Sequence, residues 1–259
     1  MDKYHIFHQL HKQQTGFVLP NAWDLSSAQF IQASGAKALA TTSWGIAASY
    51  GLQDGEKIPF SYLLSLVKTL INHLTIPLSV DIESGYSNDA HVISQHVLSL
   101  AKLGVVGINI EDSDKVTSQL RSLDQQCTII EKIKQTLDEN GFEKLFINAR
   151  TDTYLIEKDP YELTLARAKA YENAGADGVF VPGLCKIEQI KMLVNALNIP
   201  INVMAMADFN CPKIAFAGGV KRFSLGNSLY DLVGETLKKH LTQLGNNEPP
   251  AIKLILNTI

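Results

Sequence analysis

The sequence predicts an α/β protein that closes as a single-domain (β/α)8 TIM-type barrel, and three observations carry that prediction. Short apolar runs alternate with amphipathic stretches along the chain, the rhythm of repeated βα units. Eight such runs fit within 259 residues, close to the roughly 250 usual for a barrel of this kind. The first run leads into Leu19-Pro20-Asn21-Ala22-Trp23-Asp24, not into the glycine-rich phosphate turn that opens a doubly wound sheet.

The runs, in order, are Phe17 to Pro20, Ala38 to Thr42, Leu78 to Asp81, Val106 to Ile110, Leu145 to Ala149, Gly178 to Val181, Ile201 to Met204 and Arg222 to Leu225. Each reads as apolar throughout, as a strand buried on both faces does. Between them the clearest helix is marked by Phe60, Leu63, Leu64, Val67, Leu70, Ile71 and Leu74, one stripe at i, i+3, i+4, i+7 spacing. Ile130, Ile133 and Leu137 form another stripe that stops before Asn140-Gly141. Pro160 sits where a first helical turn tolerates it. The phrases Ala33-Ser34-Gly35-Ala36, Lys102-Leu103-Gly104-Val105, Asn173-Ala174-Gly175-Ala176 and Ala217-Gly218-Gly219-Val220 each place a glycine between a helix and the next strand. No Pro/Ser-rich linker or low-complexity run divides the chain. The expected organisation is therefore one domain over 1–259, with the barrel at about 15–240 and a helical extension at about 241–259.

Composition narrows the class of partner. The chain is 46% hydrophobic and 19% charged, and 23 Lys+Arg against 26 Asp+Glu leave a net charge of −3. No basic excess draws it to nucleic acid or to an anionic membrane surface, so a small molecule is the expected partner. Cys127, Cys185 and Cys211 lack CxxC spacing, which argues against a disulfide framework or a structural zinc site and fits a reducing compartment. The first residues, MDKYHIFHQLHKQQTG, lack the apolar core of a signal peptide, and no window holds the ~18 apolar residues of a membrane span. The expected location is cytoplasmic.

Catalytic groups of a (β/α)8 barrel sit at the C-terminal ends of its strands. Here those ends are acidic. After the third run comes Val80-Asp81-Ile82-Glu83-Ser84-Gly85-Tyr86, after the fourth Ile110-Glu111-Asp112-Ser113-Asp114, and after the fifth Asn148-Ala149-Arg150-Thr151-Asp152. One strand-end acid alone is as readily a cap or a surface ion-pair partner; three consecutive ends are not so easily dismissed. Carboxylates converging on one mouth repel and raise one another's pKa values unless a cation lies among them. Asp and Glu oxygens without His or Cys suit a hard ion such as Mg²⁺. Arg150 offers the planar fork that grips a carboxylate or phosphonate. Asp112, Asp114 and Asp152 read as turn and cap residues and receive no role.

The second run ends in Thr41-Thr42-Ser43-Trp44-Gly45-Ile46-Ala47-Ala48-Ser49, a small-residue turn whose N–H groups can face a developing oxyanion. None of the seven histidines falls at a strand end. Cys185 follows the sixth run closely enough to stand as a minor thiol candidate. Lys37, Lys144 and Lys221 sit at strand beginnings, which disfavours a Schiff-base aldolase.

Taken together, Asn21-Ala22-Trp23-Asp24, Thr42-Ser43-Trp44-Gly45-Ile46-Ala47-Ala48 with Gly51-Leu52-Gln53-Asp54, Asp81-Ile82-Glu83-Ser84-Gly85-Tyr86, Ile110-Glu111-Asp112, Asn148-Ala149-Arg150-Thr151-Asp152, Pro200-Ile201-Asn202-Val203-Met204 and Gly219-Val220-Lys221-Arg222-Phe223-Ser224-Leu225-Gly226 resemble the isocitrate lyase/phosphoenolpyruvate mutase superfamily, in its short phosphoenolpyruvate-mutase-like branch. The match runs in consistent order over about residues 5 to 240. The resemblance implies a Mg²⁺-dependent enzyme, with Mn²⁺ as the alternative ion and no organic cofactor, that makes or breaks a C–C or C–P bond through an enolate. It implies Asp81 as the direct metal ligand, with Asp54, Glu83 and Glu111 holding the ion's waters. Arg150 and Glu111 become the expected catalytic residues, and Thr42, Ser43, Trp44, Arg150 and Asn202 the expected substrate contacts. It also implies a homo-oligomer, dimer or tetramer, in which a C-terminal helix packs on a neighbouring barrel; Ala251-Ile252-Lys253-Leu254-Ile255-Leu256 offers such a contact.

The chain departs from the pattern in one loop. Lyases of the superfamily carry Lys-Lys/Arg-Cys-Gly after the fourth strand, and the mutases an Asn. Here Asp112-Ser113-Asp114-Lys115-Val116-Thr117-Ser118-Gln119-Leu120-Arg121-Ser122-Leu123 has neither; Lys115, Thr117, Ser118 and Arg121 are candidates to contact substrate, with a solvated loop as the favoured reading. Tyr50, Tyr86 and Tyr154 are acid/base candidates by proximity alone. Three readings follow: a lyase of a small 2-oxo or 2-hydroxy dicarboxylate, C–P chemistry on phosphonopyruvate by mutase or hydrolase, and a non-catalytic carboxylate-binding protein.

Overall fold

The computed structural model describes residues 2–115 and 117–245; the expected contact segment Ala251–Leu256 lies outside them. The strands are β1 (Phe17–Leu19), β2 (Asn21–Ala22), β3 (Leu39–Thr41), β4 (Leu78–Asp81), β5 (Gly107–Glu111), β6 (Ser113–Asp114), β7 (Gln119–Leu120), β8 (Phe146–Arg150), β9 (Gly178–Phe180), β10 (Ile201–Met204) and β11 (Arg222–Ser224). The helices are α1 (Lys3–Lys12), α2 (Leu25–Ala33), α3 (Ser43–Ser49), α4 (Phe60–His73), α5 (Ala90–Leu103), α6 (Leu123–Glu139), α7 (Thr153–Ile156), α8 (Tyr161–Asn173), α9 (Ile187–Ala196), α10 (Pro212–Ala217) and α11 (Ser228–Gly245).

All pairings in the main sheet are parallel, in the order β1-β11-β10-β9-β8-β5-β4-β3-β2. The two ends of that order, β1 and β2, are halves of one stave. Pro20 has no N–H to donate and splits it: Phe17–Leu19 pair with β11, while Asn21 and Ala22 pair with β3. The sheet thus closes on itself with eight staves, as the sequence predicts. The first stave extends beyond the expected Pro20, and the small antiparallel hairpin β6–β7 was not expected at all.

Local sequence fixes the helix boundaries. Asp24 and Ser27 form a capping box on α2, and Ser122 and Gln125 another on α6. Gly104 ends α5 with φ 99°, a left-handed conformation that a side chain rarely adopts. The apolar helix stripes pack on the outside of the staves, with Leu63, Val67, Leu70, Val97, Ile130 and Ile133 all buried.

The barrel interior differs from expectation. Asn109, Asn148, Asn202 and Arg222 interrupt the apolar runs, and all are buried. Most of their polar atoms pair with one another across staves, while Arg222 Nε and Nη1 are buried without a hydrogen-bond partner among the described residues. Asn148 Nδ2 donates to Asn109 Oδ1 at 2.9 Å and to Asn202 Oδ1 at 3.1 Å, Arg222 Nη2 donates to Asn109 Oδ1 at 3.0 Å, and Asn202 Nδ2 donates to Ser224 Oγ at 3.0 Å.

Helix α1 plugs the N-terminal end of the barrel through Phe7, Leu10 and His11. The His11 ring stacks on Phe146 with centroids 4.1 Å apart, and Phe7 meets both rings edge-on. Burial, aided by Arg222, pushes the His11 imidazole down from 6.5 to about 3. The folded state thus keeps His11 neutral while the unfolded chain protonates it below pH ~6.5, so this contribution is full above that pH and lost as pH falls. Between pH 7 and pH 5 the wild type should lose about 2 kcal/mol more stability than His11→Phe. Urea unfolding at both pH values checks this, and equal losses would contradict it.

Candidate active site

The parallel register assembles the mouth. β5 and β8 pair Glu111 opposite Arg150, and β4 and β5 pair Asp81 opposite Asn109. Arg150 Nη1 donates to Glu111 Oε2 at 2.9 Å, and its Nε and Nη2 clasp Asp152 at 2.6 and 3.1 Å. The guanidinium also lies 5.7 Å from the Phe180 ring centroid, a cation–π distance. An arginine held on three sides by fixed partners loses little further freedom when it grips an anion.

The turn after β4 is built to aim carboxylates. Asp81 N–H donates to Thr41 Oγ1 at 2.8 Å, and Asp81 Oδ1 accepts from Glu83 N–H at 3.1 Å. Glu83 and Tyr86 adopt φ 50° and 61°, conformations costing of order 1 kcal/mol or more in a non-glycine residue and concentrated at functional sites. Glu83 Oε2 accepts from Glu56 N–H at 2.8 Å, and Glu56 Oε1 accepts from Tyr86 N–H at 2.7 Å. This reciprocal pair ties the segment around Asp54 to the β4 turn.

Asp54, Asp81 and Arg150 line one cavity of about 150 Å³ with Thr42, Ser43 and Trp44. Thr42 caps α3 by accepting Gly45 N–H at 3.3 Å, leaving the preceding N–H groups of the first turn free of intrahelical partners. A Cβ on Gly45 would stand 2.7 Å from Thr42 Cγ2 and 3.1 Å from Trp23 Cβ, so the close turn requires glycine. Trp44 is held edge-on by Tyr230 of α11, with centroids 5.5 Å apart. Larger spaces lie elsewhere: about 660 Å³ at the N-terminal end, near Phe146 and Lys221, and about 810 Å³ in an apolar groove between α2 and α11. Neither gathers the strand-end carboxylates.

Electrostatics mark the mouth as short of positive charge. Burial first, then Asp54, pushes Glu83 up to about 7, and burial pushes Glu111 up to about 8. Asp81 is raised by burial and by Asp54. Asp54 Oδ1 is buried without a hydrogen-bond partner. Among the described residues no three His, Cys, Asp or Glu side chains are placed to hold an ion between them. Asp54 and Asp81 at the cavity fit a cation that takes one or two carboxylates and keeps water for the rest, as Mg²⁺ does. Asp81 and Asp54, facing the cavity with oxygens to spare, are the groups able to hold it.

Most expected site residues converge, with exceptions. Thr42, Ser43, Trp44, Asp54, Asp81 and Arg150 face the cavity. Glu83 and Glu111 stand behind it, buried and committed to their partners. Asn202 lies beneath the cavity in the interior network, not among its lining residues. None of the tyrosine candidates lines the cavity either; Tyr50 is exposed and Tyr154 donates its hydroxyl proton to Gln189. Two groups outside the expected site set pair with its residues. Asp152 orients Arg150, and the Arg-x-Asp spacing was the available signal. Lys115, read as part of a solvated loop, reaches inward to ion-pair with Glu111 and, at 3.6 Å, with Glu83. Arg121 is likewise buried, donating to the carbonyls of Ser84 and Ser87 at 2.9 Å each.

The mouth of the (β/α)8 barrel thus joins clustered carboxylates, a clasped arginine and the first turn of a helix. Sequence comparison gives the family: residues 7–244 match phosphoenolpyruvate phosphomutase, and the chain belongs to that family within the isocitrate lyase/phosphoenolpyruvate mutase superfamily. It is 37% identical over 225 residues to the uncharacterized protein Rv1998c of Mycobacterium tuberculosis (strain ATCC 25618 / H37Rv), covering 86% of this chain and 83% of that one. It is 24% identical to the 2-methylisocitrate lyase of Salmonella typhimurium (strain LT2), covering 82% and 72%. A crystal structure described as a "putative phosphonomutase" from Burkholderia cenocepacia J2315 superposes with TM-score 0.88 at 36% identity, covering 93% of this chain and 99% of that one.

Proposed function

We propose that the protein is a Mg²⁺-dependent lyase that cleaves a C–C bond of a small 2-oxo or 2-hydroxy (di)carboxylate through a pyruvate-like enolate, with Mn²⁺ as the alternative ion. The observation that carries this is the meeting of Asp54, Asp81 and Arg150 around one cavity of about 150 Å³. That volume lies below the 300–1,000 Å³ of sites for drug-sized ligands and suits an acid of a few carbons. The ion, held by Asp81 and Asp54 with Glu83 and Glu111 behind them, would supply charge stabilisation for an enolate as the bond one carbon away breaks. Arg150 binds the substrate carboxylate or the departing group. Thr42 fixes the α3 first turn so that the Ser43 and Trp44 N–H groups can face the carboxylate and enolate oxygens. Glu111 acts on Arg150, keeping its fork aimed at the cavity.

A second reading, C–P chemistry on phosphonopyruvate, is favoured by the same arginine, whose fork takes a phosphonate as readily as a carboxylate. Turnover tests both: purified protein with Mg²⁺ and a panel of such acids should release a 2-oxo acid, and a rate no higher than a metal-free control would contradict the lyase reading. With phosphonopyruvate, phosphorus NMR separates migration, which yields phosphoenolpyruvate, from hydrolysis, which yields free phosphate. Tight carboxylate binding without turnover would instead support a non-catalytic binding protein.

The reading includes a homo-oligomer, dimer or tetramer, with no nucleic acid or membrane partner. Phe30, Leu232, Leu237 and Leu241 are each more than half exposed along α2 and α11, an apolar face of the kind that marks association. Light scattering on the eluting protein tests this, and a monomer would contradict it. The three cysteines are free, which supports a reducing, cytoplasmic location. Among the described residues no helix is long and apolar enough to cross a membrane.

A further inference from the structure

Lys115 sits just after β6, on the hairpin that rises over the mouth. The base of that hairpin is fixed: Ser113 donates its hydroxyl proton to Asp152, and Arg121 N–H donates to Asp112 O at 2.7 Å. Its two strands have two residues each, and Ser118, just before β7, has φ 57°. The lysine side chain runs from the end of β6 across the segment next to Asp54, where its Cδ is 4.0 Å from the position a Cβ on Gly55 would take. Its ammonium pairs with Glu111 and Glu83. The side chain is one-fifth exposed, whereas Glu83 and Glu111 are almost wholly buried. It therefore bridges the ends of β4 and β5 from the solvent side.

Those two glutamates are half of the carboxylate set that the proposed function gives to a divalent ion and its waters. A double positive charge arriving at Asp81 and Asp54 meets the lysine's charge among the same oxygens, and like charges in a buried site repel more strongly than in water. The lysine is also the more exposed of the two cations, at 20% against 16% for Arg150. Arg150 is clasped by Asp152 on its own strand, while the Lys115 ammonium pairs only with the glutamates among the described residues.

Resting on the metal-dependent reading, we propose that Lys115 is the resident counter-ion and latch of the mouth: its ammonium holds Glu83 and Glu111 in the metal-free protein and is displaced outward when a divalent cation binds at Asp81. Lys115 is thus a positioning residue that sets metal affinity.

Mn²⁺ alone is the probe, with free ion measured by electron paramagnetic resonance during titration of wild type, Lys115→Met and Asp81→Ala. Lys115→Met should bind Mn²⁺ at least roughly tenfold more tightly than wild type, because a competing charge is gone. A second measurement needs no variant. Acetylation of Lys115 in the wild type, followed by mass spectrometry, should speed up at least threefold when saturating Mn²⁺ is added. Equal or weaker affinity in Lys115→Met, or acetylation indifferent to Mn²⁺, overturns the latch. If binding is then still lost in Asp81→Ala, the metal site stands without the latch. Absence of Mn²⁺ binding in both wild type and Lys115→Met overturns the metal site and the latch with it.

Discussion

Replacing Arg150 with Met is expected to lower stability by about 3–5 kcal/mol, roughly 10 °C in Tm for a chain of this size, and to weaken carboxylate binding at least 30-fold. The stability loss comes from the partners left behind. Glu111 is 1% exposed and Asp152 is 4% exposed, and without the guanidinium both keep buried negative charge beside Asp81. Carboxylates can shed that charge by protonation, so the deficit relative to wild type should shrink as pH falls from 8 toward 5. Glu111, pushed up to about 8 by burial even with the arginine present, is the group that makes this visible. Arg150→Lys restores charge but not the two-pronged clasp on Asp152, and should recover part of the stability with little of the binding. Melting curves at two pH values together with ligand titration check each part; a variant as stable as wild type at pH 8 would contradict the assigned geometry.

The second large effect lies just behind the mouth. Asp112 is fully buried and accepts from Asp152 N–H at 2.9 Å, Arg167 Nη1 at 3.1 Å and Tyr171 hydroxyl at 2.7 Å. Asp112→Ala strands the Arg167 charge and the Tyr171 hydroxyl, an expected loss of about 3–5 kcal/mol. It also frees the backbone of Asp152, so the clasp on Arg150 loosens and ligand affinity falls with stability. Adding Arg167→Leu removes the stranded charge, and the double variant should be more stable than Asp112→Ala alone. Urea unfolding of the three variants decides it: a double variant less stable by the full sum of the two single losses would contradict the account.

What the sequence makes legible follows from what is local. Alternating apolar runs and amphipathic stripes mark the barrel, whereas Pro20 reads as the end of the first run although the stave continues past it as Asn21 and Ala22. The inward or outward aim of a strand residue is not local in a parallel barrel, because both faces are buried and no alternation betrays the difference. For that reason Asn109, Asn148, Asn202 and Arg222 disappear into runs read as apolar. The hairpin β6–β7 carries no periodic signal in strands of two residues. Asp81, Glu111 and Arg150 are legible because a barrel places chemistry at strand ends. Lys115 and Asp152 are not, since their roles depend on how far a side chain reaches toward neighbouring carboxylates or back toward its own strand. The loop that lacks the superfamily's Cys or Asn is thereby not vacant: it carries an ammonium into the centre of the site.

The central claim is that Asp81 anchors a divalent ion where Arg150 and the first turn of α3 receive a carboxylate. Calorimetric titration of oxalate, a planar stand-in for the pyruvate enolate, into the protein with and without Mg²⁺ tests it most directly, repeated on Asp81→Ala. The account predicts binding that requires Mg²⁺ and disappears in Asp81→Ala. Oxalate binding of equal strength with and without the ion, or undiminished in Asp81→Ala, would contradict it.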